Sequence, residues 1–203
     1  PVKLFLVIGA STPVFLLALF LILVFYVQLA WLPATAQTDI SSAPVGPTGF
    51  LVVDSLLASK LDVFINALTH LVLPAVCLAF TPAAAIGRVL RSSLLEVMAT
   101  DYVRTAKAKG LHPAMVIWKH CLRNALSAPL TMLALQFGLL LGADVVVETV
   151  FAWPGIGLYI EQSIGVGDFQ AVAGVTLAMG LAYVILNLLV DIGQLAADPR
   201  VRA

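Results

Sequence analysis

The fold is decided by an uncharged stretch from Leu4 to Leu29, which reads LFLVIGASTPVFLLALFLILVFYVQL. A helix needs roughly 20 apolar residues to cross about 30 Å of hydrocarbon, and this stretch is long enough. Three more apolar segments follow, at about 71–98, 125–147 and 171–196. The sequence therefore predicts an all-α fold, a polytopic transmembrane helical bundle with four spans (about 4–29 and the three above) in a single domain over residues 1–203.

The composition excludes most other classes of protein. The chain has 203 residues, of which 61% are hydrophobic and 11% charged, whereas a soluble domain carries about 25% charged residues. Abundant apolar side chains also argue against disorder. Lys plus Arg equals Asp plus Glu at 11 each, and this zero net charge argues against a nucleic-acid partner.

The positions of the basic residues predict the orientation in the membrane. Ten of the eleven lie before the first span, from Arg88 in the last part of the second span to Arg123 before the third, or after the fourth, and Lys60 is the exception. By the positive-inside rule, both ends of the chain and the link at about 100–123 are cytoplasmic. The connections at about 30–69 and 148–170 then lie outside. Within the first of them, apolar spacing over Asp54–Thr69 predicts an amphipathic helix, either on the membrane surface or, as we favour, packed on the spans.

The cytoplasmic link reads TDYVRTAKAKGLHPAMVIWKHCLRNA and has the signals of a folded segment. Thr100 and Asp101 are residue types that cap a helix N-terminus. Gly110 stands where a left-handed residue would end that helix, and Pro113 suits the first turn of the next one. We predict a helix, a glycine turn and a second helix. A structured basic link suggests docking on a partner, but its cations could also serve only to set topology and contact lipid headgroups.

Three runs of sequence resemble the permease subunits of ABC importers of the dipeptide/oligopeptide type. The first, DYVRTAKAKGL followed by KHCLRNAL, is similar to that family's cytoplasmic "EAA" loop. The other two are LQFGLLLGADVVVETVFAWPGIG (135–157) and NLLVDIGQLAADPRVR (187–202). The chain departs from the general pattern at Arg104, which replaces the motif's Glu, and at Pro129, to which the expected proline is displaced. Family members have further spans upstream, so we expect Pro1 to fall inside a longer protein.

The resemblance implies a transport subunit without enzymatic activity of its own. The link would be a coupling helix that docks on a separate ATPase through Tyr102, Arg104, Thr105, Ala106, Lys107, Lys109, Gly110 and Leu111. No G-x-x-x-x-G-K-[ST] motif occurs in the chain, so ATP and Mg would be bound by partner subunits and no cofactor by this one. The implied partners are a second permease, two ATP-binding subunits, an extracytoplasmic substrate-binding protein and lipid. The implied location is the bacterial plasma (inner) membrane.

Four residues in the third span and in the connection after it are candidates for the translocation path or its gate: Gln136, Asp144, Glu148 and Trp153. Asp144 and Glu148 lie near the outer end of that span. Asp144 and Glu148 share a helix face, and acids within a membrane usually face a cavity or a partner. The bland alternative, which we favour for both acids, is that they are solvated at the interface. Gln136 could face the path or bond to another helix. Trp153 lies in FAWPGIG (151–157), which could seal the outer mouth or simply connect two spans.

Other functions remain open on the sequence alone. Related permeases serve nickel, haem or sugars, and substrate selection lies largely in the binding protein. A proton-coupled carrier using Asp144 or Asp191 would not need a structured cytoplasmic link. An intramembrane enzyme would need a catalytic constellation at matched depth, which the histidines outside the spans do not supply. Their scatter over both sides of the membrane also argues against a metal site.

Overall fold

The computed structural model describes residues 12–41, 43 and 46–197, without the side chains of 141–144 and 195–197. All regular structure in these ranges is helical. The principal helices are α1 (Val14–Leu21, continued by a π-helical turn at Ile22–Gln28), α2 (Leu51–Leu57), α3 (Leu61–Met98), α4 (Asp101–Ala108), α5 (Pro113–Met115, continued by a π-helical turn at Val116–Leu122), α6 (Arg123–Ala125), α7 (Ser127–Val150), α8 (Ile156–Val166) and α9 (Phe169–Ala197).

Two helices are long and apolar enough to cross a membrane by length and composition. They are Leu61–Met98 and Phe169–Gln194. The most apolar 18-residue stretch of the first has a mean hydropathy of 2.0, and that of the second has 2.1. Val14–Gln28 and Ser127–Leu140 are apolar helices that fall below the required length within the described residues. The first span was predicted from Leu4, and residues 4–11 lie outside the described part of the chain. The all-helical fold is confirmed, and the count of four spans stays a prediction.

The helix that contains the predicted second span is longer than that span. Helix α3 begins at Leu61, before the predicted start at about 71, and ends at Met98, with Pro74 and Pro82 in its interior. The predicted outer helix over Asp54–Thr69 is split, because Ser59 adopts a left-handed conformation with φ of 54° between α2 and α3. The apolar spacing that we assigned to a separate helix therefore belongs to two elements.

The chain divides into two compact units. The loop unit comprises Thr12–Thr81 and Leu140–Val175, and the link unit comprises Pro82–Leu139 and the described part of Thr176–Ala203. Each unit has its own buried apolar cluster. That of the loop unit contains Leu17, Ala18, Leu21, Leu73, Cys77, Val147 and Phe151. That of the link unit contains Val103, Ala106, Val116 and Cys121.

Candidate functional site

The link folds as the sequence predicts, with a glycine turn between helical segments. Thr100 occupies the N-cap of α4, although its hydroxyl donates back to the Val97 carbonyl and does not cap the helix. Gly110 has φ of +75°. The Gly110 N–H donates to the Lys107 carbonyl at 3.0 Å and the Leu111 N–H donates to the Ala106 carbonyl at 3.4 Å. This pair of bonds is the Schellman arrangement, which satisfies carbonyls that the helix end would leave unpaired.

The inward face of α4 is apolar. Val103 is fully buried and Ala106 is 8% exposed, and both pack against Val116 and Cys121 of the following π-helical turn. Leu111 is partly buried against the same cluster. A π-helical turn has hydrogen bonds between residues five apart instead of four, and it is frequent at functional sites. This small core holds α4 against the π-helical turn at Val116–Leu122. The link is therefore a folded element in which the opposite face of α4 is exposed.

The outward face of α4 carries the cations. Arg104, Lys107 and Lys109 are exposed. Arg104 forms an exposed ion pair of 3.4 Å with Asp101, a type of contact that contributes little to stability. Such a face is available for a partner because the fold does not depend on its charges.

The remaining predicted coupling residues divide between these two faces. Thr105 is exposed and its hydroxyl donates to the Asp101 carbonyl at 2.9 Å. The half-exposed Tyr102 accepts a bond of 3.2 Å from the Asn124 amide through its hydroxyl. Ala106 and Leu111 also contact the link's own core, and their contact with a partner stays a prediction.

A second arrangement of polar groups lies in the loop unit, where α7 ends. Glu148 is 4% exposed, so the solvated interpretation is wrong for this residue. Its Oε2 accepts a bond of 2.6 Å from the backbone N–H of Leu158, in the first turn of α8. A carboxyl group suits this position because the first N–H groups of a helix lack partners within the helix.

The glycines of the FAWPGIG motif allow this close approach. A Cβ at Gly155 would overlap the Glu148 carboxyl group. A Cβ at Gly157 would lie 2.9 Å from both the backbone N and the Cα of Val145. The motif is therefore a tightly fitted connection between α7 and α8. A side chain at Gly157 would meet backbone atoms, and one at Gly155 would displace the Glu148 carboxyl group.

The other predicted path residues have different surroundings. Trp153 is partly buried against the apolar cluster of the loop unit, and its backbone N–H donates to the Glu148 carbonyl at 2.8 Å. Gln136 is 8% exposed and belongs to the link unit. The side chain of Asp144 lies outside the described residues. Gly138 of α7 is closely packed, because a Cβ there would lie 2.9 Å from the Tyr183 ring.

One polar cluster was missed by the sequence analysis. His70 is 3% exposed and lies next to Asn66 and Asp39, in a cavity of the loop unit. Asp39 stands 31 positions before His70 in an irregular segment, and no local pattern connects the two. Within the described part of the chain, no group of three or more His, Cys, Asp or Glu could hold a metal ion.

Two of the described helices are long and apolar enough to cross a membrane, as a membrane component requires. The whole chain, residues 1–203, matches the family described as binding-protein-dependent transport system inner membrane component, and it belongs to that family.

Its relatives include several peptide permeases. The chain is 43% identical over 194 residues to the di/tripeptide transport system permease protein DppB of Pseudomonas aeruginosa, covering 96% of this chain and 58% of that protein. It is 43% identical over 201 residues to the probable D,D-dipeptide transport system permease protein DdpB of Escherichia coli K12, covering 98% and 59%. It is 40% identical over 194 residues to the dipeptide transport system permease protein DppB of Haemophilus influenzae, covering 96% and 58%. The chain thus spans less than two thirds of the length of these relatives.

Proposed function

We propose that this chain forms the membrane-spanning permease subunit of an ATP-driven importer for short peptides and builds half of its translocation path. The observation that carries the proposal is the match of all 203 residues to the permease family, together with relatives named as peptide permeases. The subunit itself catalyses no reaction. The four spans and the cytoplasmic location of both ends belong to this proposal, and the distribution of Lys and Arg supports them.

The link is the part that engages the ATPases. We infer that two ATP-binding subunits, which hold ATP and Mg, dock on the outward face of α4. The exposed Arg104, Lys107 and Lys109 would meet acidic side chains there, with Tyr102 and Thr105 at the edge of the contact. Val103 and Ala106 lie on the opposite, buried face and hold α4 in place, so a movement of the ATPases would be transmitted to the rest of the link.

The remaining partners complete the assembly. None of the residues in the most apolar stretch of Phe169–Gln194 is buried within this chain, so this helix offers a surface to lipid or to a second, homologous permease. An extracytoplasmic binding protein would deliver the peptide. Gln136 and Asp144 stay candidates for the path. We assign Glu148 and Trp153 to the outer gate as residues that hold the 151–157 connection in place.

Transport is tested with the full-length permease, its partner permease, both ATPases and the binding protein reconstituted in liposomes. Labelled Ala-Ala should accumulate with ATP and not with a non-hydrolysable analogue. Competition by unlabelled peptides, and no competition by nickel, haem or a disaccharide, would establish the substrate class. Uptake that persists when ATP hydrolysis is blocked would overturn the proposal.

Coupling is tested by reversing charge on the outward face. The triple variant Arg104→Glu, Lys107→Glu, Lys109→Glu should lose the ATPases on co-purification, since attractive contacts become repulsive. The control is Lys119→Glu, which reverses an exposed cation of the same link outside α4 and should retain the ATPases. Normal co-purification of the triple variant would show that these side chains do not meet the ATPases.

A further inference from the structure

A short segment of the loop unit is fastened to the first turns of α3. The Thr38 hydroxyl donates to Asn66 Oδ1 at 2.6 Å, and the Asp39 N–H reaches the same oxygen at 3.2 Å. The Ile40 N–H donates to the Thr38 hydroxyl oxygen at 3.0 Å. These bonds hold the Asp39 carboxylate beside His70, which lies one helical turn after Asn66.

The hydrogen bond of His70 fixes its tautomer. Nδ1 lies 2.8 Å from the Asn66 carbonyl oxygen, and a carbonyl can only accept, so Nδ1 carries a proton. In the neutral ring, Nε2 is then a hydrogen-bond acceptor. Nε2 is buried, makes no hydrogen bond, and lies 3.3 Å from Asp39 Oδ2, which is also an acceptor. An unpaired acceptor in a buried position is unfavourable, and two acceptors facing each other are more so.

These two acceptors line a cavity of about 320 Å³, a size at the lower end of small-molecule pockets. Tyr26 and Trp31 also line the cavity. Aromatic faces attract cations, and Asp39 supplies a formal negative charge. The missing component is therefore a small cationic group with several N–H donors. Asp39 and His70 alone provide too few ligands for a metal ion.

We propose that this cavity binds the protonated primary amine of a small solute, with Asp39 and His70 Nε2 accepting its N–H bonds and Tyr26 and Trp31 beside the charge. An ammonium group brings three donors and one positive charge. Resting on the proposed function, the solute is a transported peptide and the group is its free amino terminus. The cavity is then a stopping point for the peptide on the loop unit.

The test uses ¹⁹F spectra of the full-length importer complex carrying 5-fluorotryptophan, without ATP or binding protein. The Trp31 resonance is assigned by its loss in Trp31→Phe. Ala-Ala should shift this resonance saturably, and N-acetyl-Ala-Ala, which lacks the ammonium group, should not. Asp39→Asn should weaken Ala-Ala binding roughly tenfold or more, because a charge-assisted bond is lost. The Asp39 side chain is 75% exposed, so this variant should fold.

A second variant removes the other acceptor. His70→Asn keeps a donor for the Asn66 carbonyl, lacks Nε2 and should also weaken Ala-Ala binding. Equal binding of the acetylated peptide, or unchanged affinity in both Asp39→Asn and His70→Asn, would overturn the site. If Trp31 does not respond while ATP-driven uptake proceeds, the site is wrong and the proposed function stands. If Ala-Ala binds but is not transported, the reverse holds.

Discussion

The Oε2 atom of Glu148 accepts a hydrogen bond of 2.6 Å from the backbone N–H of Leu158, ten residues further along the chain. The N-cap residue of α8 is Gly155, which has no side chain to satisfy the first N–H groups of the helix. Glu148 therefore supplies the cap from the end of the preceding helix, and it fixes the direction in which α8 leaves the connection.

Removing this cap should destabilise the protein. We expect Glu148→Ala to lower the free energy of unfolding by about 1–3 kcal/mol, because the Leu158 N–H loses its partner in a partly buried position. Glu148→Gln retains an acceptor oxygen and should recover most of the loss. Denaturant unfolding of the full-length permease in detergent measures both. The control is Glu161→Ala, an exposed site on α8, and an equal effect at both positions would rule out the cap.

The fit between α7 and α8 predicts a difference between two glycines of one helix. In Gly157→Ala the new Cβ meets the backbone of Val145, which cannot rotate away, so a loss of about 1–3 kcal/mol is expected. Gly165→Ala enters open space and should stabilise α8 by up to about 1 kcal/mol. Thermal unfolding of the two variants in parallel gives the comparison. Similar melting temperatures would contradict the close approach.

At Gly110, the effect of the backbone conformation can be distinguished from the effect of close neighbours. No atom among the described residues lies within 4 Å of a Cβ built there, but φ is +75°. A left-handed conformation costs Ala about 1–2 kcal/mol, whereas Asn adopts it more readily. We expect Gly110→Asn to retain more ATPase on co-purification than Gly110→Ala. Equal loss in both would mean that a partner surface excludes any side chain at this position.

The loop before α2 depends on one buried carboxylate. Asp54 is 3% exposed and accepts bonds from the Thr48 N–H, the Thr48 hydroxyl and the Gly49 N–H, at 3.2, 2.7 and 3.0 Å. Asp54→Ala should speed amide exchange at Thr48 and Gly49 and lower stability by about 1–3 kcal/mol. Hydrogen exchange followed by mass spectrometry tests this. Asp62→Ala, at an exposed site in the first turn of α3, should leave the two amides unchanged.

The link was predictable because its signals are local. Gly110 and Pro113 each impose a backbone conformation on their own position, and a helix–turn–helix segment follows from the two residues alone. Which face of α4 is buried was not predictable from the motif. Ala106, which the resemblance assigns to a partner contact, also packs in the small core with Val116 and Cys121, and that core depends on a π-helical turn that no residue type predicts.

The loop unit was harder to predict because its contacts join residues far apart in the chain. Ser59 takes a positive φ, which for a serine has no signature in the sequence. Asp54 was interpreted as the start of an amphipathic helix, although its partners are in the preceding loop. Glu148 was paired with Asp144 on helical spacing, but its partner lies beyond a Pro-Gly turn. Helical periodicity describes one element and carries no information on what packs against it.

The side chains that stabilise the link lie on one side of α4, and the side chains that are exposed to its surroundings lie on the other. Substitutions on the outer side should cost little in folding. On the proposed function, the choice of ATPase can then be altered independently of the permease structure, and the segment from Thr100 to Ala125 is an exchangeable module. Grafting it between two importers should transfer the preference for one ATPase over another.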